Sequence, residues 1–197
     1  MAQITMNRRS FLAAAAATAL VPTAAVFAEE APAGGDYDIV VVGMGGAGMC
    51  AALAASEAGV EKIVILEKNA MEGGNTIFAS SGMNASETTY QKEQGIEDST
   101  DLFIQETITG GHNWNNVELV TQMCEGSAAA IDWLAEHGLV LDNITITGGM
   151  SVPRCHRPTD GSAVGAAYVP TIAQAVVDAG IEVVYNCRAT ELVVDES

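Results

Sequence analysis

Ile39-Val40-Val41-Val42-Gly43-Met44-Gly45-Gly46-Ala47-Gly48 is the stretch that decides the fold. The β-branched run predicts a strand over about 38–42, and Gly43 ends it. The alanine-rich residues 46–58 predict a helix closed by Gly59. A second apolar run, Ile63-Val64-Ile65-Leu66, predicts a strand over about 62–67 and closes on an acid, Glu67. Strand, glycine turn, helix, strand and acid make a dinucleotide-binding fingerprint in its full context. In that motif Gly43 makes the tight turn, Gly45 lets the backbone approach a diphosphate, and Gly48 lets the helix lie close on the strand. The helix start at Gly46 offers N–H groups and the positive end of a macrodipole to the diphosphate. Glu67 is expected to accept hydrogen bonds from ribose hydroxyls.

Residues 71–85 follow, far richer in Gly, Ser and Asn than their flanks. Ser99 or Thr100 is placed to cap a helix through Thr107, stopped by Gly110-Gly111. Leu119, Val120, Met123, Ala130, Ile131 and Leu134 recur near helical spacing and predict one helix over 117–136, ended by His137-Gly138. Short strands are expected near Val140 and Ile144, a helix over 169–178 ending at Gly180, and strands over 181–185 and 189–194. The order describes an α/β domain built on a parallel sheet whose strands are apolar on both faces.

Residues 1–28 read as an address. Asn7-Arg8-Arg9-Ser10-Phe11-Leu12 is a twin-arginine pattern, an Ala-rich stretch follows, and Val26-Phe27-Ala28 offers a cleavage site before Glu29. Export by the twin-arginine machinery to the periplasm or the outer face of the membrane is expected. That route carries folded proteins, as a nucleotide cofactor inserted in the cytoplasm requires. Residues 29–36 read as a linker and 37–197 as the domain. The formal charge is −17, and removing Arg8 and Arg9 would make it more negative. A surface that acidic argues against nucleic acid and anionic membrane as partners, and no nucleic-acid partner is expected. Cys50, Cys124, Cys155 and Cys187 form no CxxC or CxxCH and are expected as buried thiols.

The fingerprint does not separate NAD from FAD. Glu67-Lys68, Gly73-Gly74-Asn75-Thr76 and Ser81-Gly82-Met83-Asn84-Ala85 together resemble the FAD-binding domain of the fumarate reductase/succinate dehydrogenase flavoprotein family. The resemblance extends to its flavocytochrome c and urocanate reductase branch. Ala130-Ile131-Asp132-Trp133-Leu134, Gly148-Gly149, His156-Arg157-Pro158 and the Gly161/Gly165 spacing resemble the same branch in the same order. One departure is Ser81, where the family has a glycine. The resemblance implies a Rossmann-like FAD-binding domain, incomplete here, with Ala47 and Ala189 also at the cofactor. Gly73 and Gly74 allow close backbone approach. Asn75 and Thr76 offer an amide and a hydroxyl to phosphate or ribityl oxygens. Ser81, Gly82 and Met83 form a small, bendable segment suited to lie against a flat ring.

The resemblance further implies hydride transfer from flavin N5 to the β-carbon of an unsaturated carboxylate such as fumarate, urocanate or a cinnamate. Family members run several hundred residues, with a mobile capping domain that carries the proton-delivering and carboxylate-clamping residues. No catalytic residue is therefore assigned. A separate electron donor, an uncovered apolar face and an exposed sheet edge are expected, the chain being read as a fragment or a truncated product. A ketosteroid-dehydrogenase-like enzyme of the same superfamily, or a non-catalytic remnant, is the alternative. His156-Arg157 reads equally as an anion site or a structural turn. His112 and His137 lack metal-ligand spacing, and Trp114 and Trp133 are expected to pack in the interior.

Overall fold

Residues 39–42 become β1 (Ile39–Val42), the edge strand of a parallel sheet, in a computed structural model that describes residues 35–194. The twin-arginine segment lies outside the described residues. Among the described residues no helix is long and apolar enough to cross a membrane. The sheet runs β1, β2 (Ile63–Leu66), β6 (Glu182–Val184), with Val40 opposite Val64 and Ile65 opposite Val183. Helix α1 (Gly46–Glu57) returns the chain from β1 to β2, and α6 (Val164–Asp178) precedes β6. Both pack on one face. Met49 and Leu53 of α1 meet Val169, Ile172 and Val176 of α6 over Ile63 and Ile65. Burying each such side chain contributes about 1.5–3 kcal/mol.

The other face departs from the expectation of strands apolar and buried on both sides. Val40 and Val42 are 50% and 67% exposed. As an edge strand, β1 buries only the alternate positions, Ile39 and Val41, that face the helices. The open edge expected from the sequence is present, and the uncovered face is confined to β1, since Val64, opposite Val40 on the same face, is buried.

Between β2 and β6 lies a second layer. A 3-10 turn (Gly74–Phe78) leads to β3 (Met83–Asn84), α2 (Thr89–Glu93), α3 (Thr100–Gly110), α4 (Val117–Glu125), α5 (Ser127–Glu136), β4 (Asn143–Thr145) and β5 (Cys155–Arg157). The short strands pair antiparallel in the order β3-β5-β4, which brings His156 beside both Met83 and Ile144. Several expectations are corrected here. The single helix over 117–136 is two, divided at Gly126, because the Ser127 hydroxyl donates to the Cys124 carbonyl (2.7 Å) and accepts from the Ser86 N–H (3.2 Å). Val140 lies outside any strand, and Ile144 lies in β4. Helix α6 starts at Val164, not Val169, because the carbonyls of Ser81 and Ala79 receive the N–H groups of Val164 and Gly165. Residues 189–194 form no strand; no partner pairs with them among the described residues, and Leu192, Val193 and Val194 are exposed. Trp114 is 93% exposed, contrary to its expected packing. Trp133 does pack, its ring centroid 3.9 Å from that of His137. All four cysteines are free thiols, with Cys124 and Cys155 buried and Cys50 and Cys187 half-buried.

A buried ion cluster holds the second layer together. The Arg154 guanidinium on the approach to β5 is fully buried and donates to Asp98 (2.7 Å from Nε), to Glu106 of α3 and to the Met150 sulfur, with its centre 5.1 Å from the Phe103 ring. Next to it, buried His156 donates from Nδ1 to the Arg154 carbonyl (2.6 Å) and accepts from the Thr88 hydroxyl (2.8 Å). Burial holds this imidazole below its usual range, hence neutral. Of the two readings of His156-Arg157, the histidine follows the structural one.

The carboxylates give the fold a pH signature. Glu106 is held below the usual range by the Ser151 hydrogen bonds and by Arg154. Glu87 is held below it by the Thr100 hydroxyl and N–H. For a folded-state value below the unfolded one, stability is present above the unfolded value and is lost as pH falls through the folded value. Denaturant midpoints should therefore be flat from neutral pH down to the ordinary carboxylate range and fall below it. In E106Q the fall should be shallower.

Candidate cofactor site

Gly43, Gly46 and Gly48 each have a distinct geometric reason to be there. Gly43 takes φ +102°, a conformation that disfavours any side chain. A Cβ on Gly48 would lie 2.0 Å from the Gly43 carbonyl oxygen, so only glycine lets α1 start this close to the turn. A Cβ on Gly46 would meet the Thr76 hydroxyl at 3.0 Å, whereas Gly45 has open space to 3.8 Å.

The Gly73–Thr76 segment is fastened directly onto this turn. Gly45 and Gly73 form a parallel bridge, the Gly73 N–H donates to the Met44 carbonyl (2.8 Å), and the Gly46 N–H donates to the Thr76 hydroxyl (3.0 Å). Gly165 of α6 clamps the segment from behind, where a Cβ would sit 2.3 Å from the Thr76 carbonyl oxygen. Thr76 thus spends its acceptor on the helix start and keeps its O–H to give. Asn75 and Gly74 are exposed.

Glu67 is buried, and its carboxylate accepts from the Met44 N–H and the Asn69 N–H, both at 2.8 Å. Burial opposes its charge, but these N–H groups and Lys68 outweigh that and hold the carboxyl below its usual range. Gly43, Glu67, Lys68 and Ala189 line one cleft of 240 Å³ at the carboxyl ends of β1, β2 and β6, with Cys187 and Arg188. Ligands of open α/β sheets bind at this end.

Ser81, Gly82 and Met83 lie apart from that cleft. The Ser81 hydroxyl sits 3.3 Å from the Cys155 thiol, which occupies the serine that departs from the family pattern. A Cβ on Gly82 would lie 2.3 Å from the His156 carbonyl oxygen and 2.8 Å from the Arg157 side chain. Met83 lines a separate apolar cavity of 320 Å³ with Phe103, Met123 and Met150. Arg157 donates from Nη2 to the Ser162 carbonyl (3.4 Å), and its buried Nε finds no acceptor among the described residues.

Residues 38–197 match the FAD binding domain family. The chain belongs to that family. Its cofactor is FAD. It is 49% identical over 156 residues to NADH:fumarate oxidoreductase of Klebsiella pneumoniae (strain 342), spanning 79% of this chain and 17% of that protein. The open conformation of a flavocytochrome c3 fumarate reductase superposes with a TM-score of 0.77 at 37% identity, over 80% of this chain and 28% of that one. 3-Ketosteroid-delta4-(5alpha)-dehydrogenase from Rhodococcus jostii RHA1 gives 0.71 at 25% identity, over 84% and 41%. The chain therefore spans less than half the length of each of these proteins.

For an FAD binding domain, the fit is tested by what the turn leaves over. Among the described residues nothing in the chain accepts the N–H groups of Gly45, Ala47 or Gly48. The first turn of α1 carries no acidic side chain, so its positive end is not compensated. Three N–H groups without an acceptor and an uncompensated helix start are what a diphosphate needs, and the residues present fit the cofactor.

Sequence reasoning missed the Arg154 cluster, and also Tyr185, which donates to Glu72 beside the turn (2.9 Å). Neither carries a local signal, because each partner is remote in sequence.

Proposed function

We propose that Gly43, Gly45, Gly46, Ala47, Gly48, Glu67, Lys68, Gly73, Gly74, Asn75, Thr76, Ser81, Gly82, Met83 and Ala189 form the FAD cradle of a flavin-dependent oxidoreductase. The observation that carries this reading is the set of unclaimed N–H groups at Gly45, Ala47 and Gly48. These bind the diphosphate, and the Thr76 O–H adds a fourth donor. Glu67, Lys68 and Ala189 take the adenosine end. Gly82 and Met83 take the ring end, where the Arg157 stem lies against Gly82.

In the intact protein the reaction is reduction of the C=C bond of an unsaturated carboxylate of the fumarate, urocanate or cinnamate type. When bound, FAD would supply hydride chemistry for the β-carbon, with a separate donor to restore the electron pair. A proton reaches the α-carbon from groups beyond these residues. Support comes from the 49% and 37% identical relatives, both named for fumarate. Export by the twin-arginine route belongs to the same reading and rests on Arg8 and Arg9. The steroid dehydrogenase likeness favours a second reading, oxidation of a ketosteroid ring.

The test uses the full-length flavoprotein. With a reduced dye as donor, enoates should oxidise it in a flavin-dependent manner, and a 3-ketosteroid with an oxidised dye should not react. Steroid turnover without enoate turnover would decide for the second reading.

A further inference from the structure

We propose that Tyr185 is a positioning residue that holds the Glu72 carboxylate away from the diphosphate of FAD. This rests on the reading of the glycine turn given above.

Glu72 stands immediately before Gly73, the residue bridged to Gly45, so a negative charge is built into the rim of an anion site. Tyr185, at the end of β6, donates its hydroxyl to Glu72 Oε2 at 2.9 Å. The same hydroxyl lies 3.4 Å from the sulfur of Met44, the residue between Gly43 and Gly45. The Tyr185 hydroxyl thus sits between the Glu72 carboxylate and the Met44 side chain, held by a residue that directly follows β6.

The backbone reinforces this placement, since the Asn186 N–H donates to the Asn69 carbonyl (2.9 Å) and ties the same two segments together. Burial, with the hydrogen bond to Glu72, pushes the Tyr185 phenol up to about 12, so it remains a donor at every working pH. The other acid at the turn, Glu67, is handled alike, with its oxygens turned onto backbone N–H groups. In a chain this acidic, a free carboxylate beside the turn opposes an anionic cofactor.

The experiment measures FAD affinity of the full-length protein, stripped and reloaded, in Y185F, E72Q and the double variant. Y185F should weaken FAD about tenfold, and raising the salt concentration should narrow that deficit, because a released carboxylate repels through solvent. E72Q alone should bind FAD at least as tightly as the parent, and Y185F/E72Q should recover to within about twofold. Apoprotein melting should be unchanged in E72Q. If E72Q weakens FAD as much as Y185F, the pair is a structural latch and the proposal fails. It fails equally if Y185F binds normally or the double variant is not rescued. The deciding readouts are FAD affinities, so the proposal can stand or fall whatever the enzyme reduces.

Discussion

Gly48→Val should abolish flavin retention, leaving a colourless protein where the parent is yellow. The added Cβ alone would sit 2.0 Å from the Gly43 carbonyl oxygen, and the branched methyls make relief harder. The helix start must move away from β1, and it carries the N–H groups of Gly45, Ala47 and Gly48 with it. We expect FAD affinity to fall at least a hundredfold, and overpacking to destabilise the apoprotein by about 1–3 kcal/mol. Gly110→Ala is the control. It has an ordinary φ and open space around the added carbon, so it should retain flavin and keep or slightly raise stability. Flavin absorbance per protein after gel filtration decides the matter; full occupancy in G48V would show that the diphosphate lies elsewhere.

Arg154→Met should be the most destabilising single change away from the cofactor. The Asp98 side chain is fully buried and Glu106 nearly so. Removing the guanidinium leaves two carboxylates facing each other with no counter-charge, which typically costs 3–5 kcal/mol, or roughly 10 °C in melting temperature for a domain of this size. Methionine keeps most of the apolar stem, so the loss reports charge rather than volume. The combined variant R154M/D98N/E106Q should recover most of it, because neutral amides are far less costly to leave in place. Chemical denaturation at neutral pH measures both. A loss below about 1 kcal/mol in R154M would mean that water reaches the cluster.

Legibility from sequence followed the range of the interactions. The β1 turn, α1, β2 and Glu67 could be read because all their constraints are local: β-branched runs, a glycine at φ +102°, and a glycine-terminated alanine helix. The same held for the Ser99 cap, whose hydroxyl accepts from Leu102 three residues on. Strands β3 and β5 could not be read, since two or three residues carry no periodicity and exist only because Met83 meets His156. The break at Gly126 depended on a bond from Ser86 that helical spacing does not show. Arg154 was invisible for the same reason: Asp98 lies 56 residues away and Glu106 lies 48. In the cofactor site the glycines were legible, but the prior engagement of Thr76 and Glu67 with the backbone was not.

The seating of β6 beside β2 has a kinetic consequence. Val64 reaches its partner Glu182 only after the entire second layer between them has been made. The pair closes a long loop that contains the whole second layer, and loop-closure entropy must be met before its hydrogen bonds form. During synthesis β1, α1 and β2 emerge first, with a strand edge on β2 awaiting a partner still inside the ribosome. Docking of β6 is therefore the late event that completes the cleft containing Ala189, and refolding followed at that cleft should lag behind refolding followed by helix content.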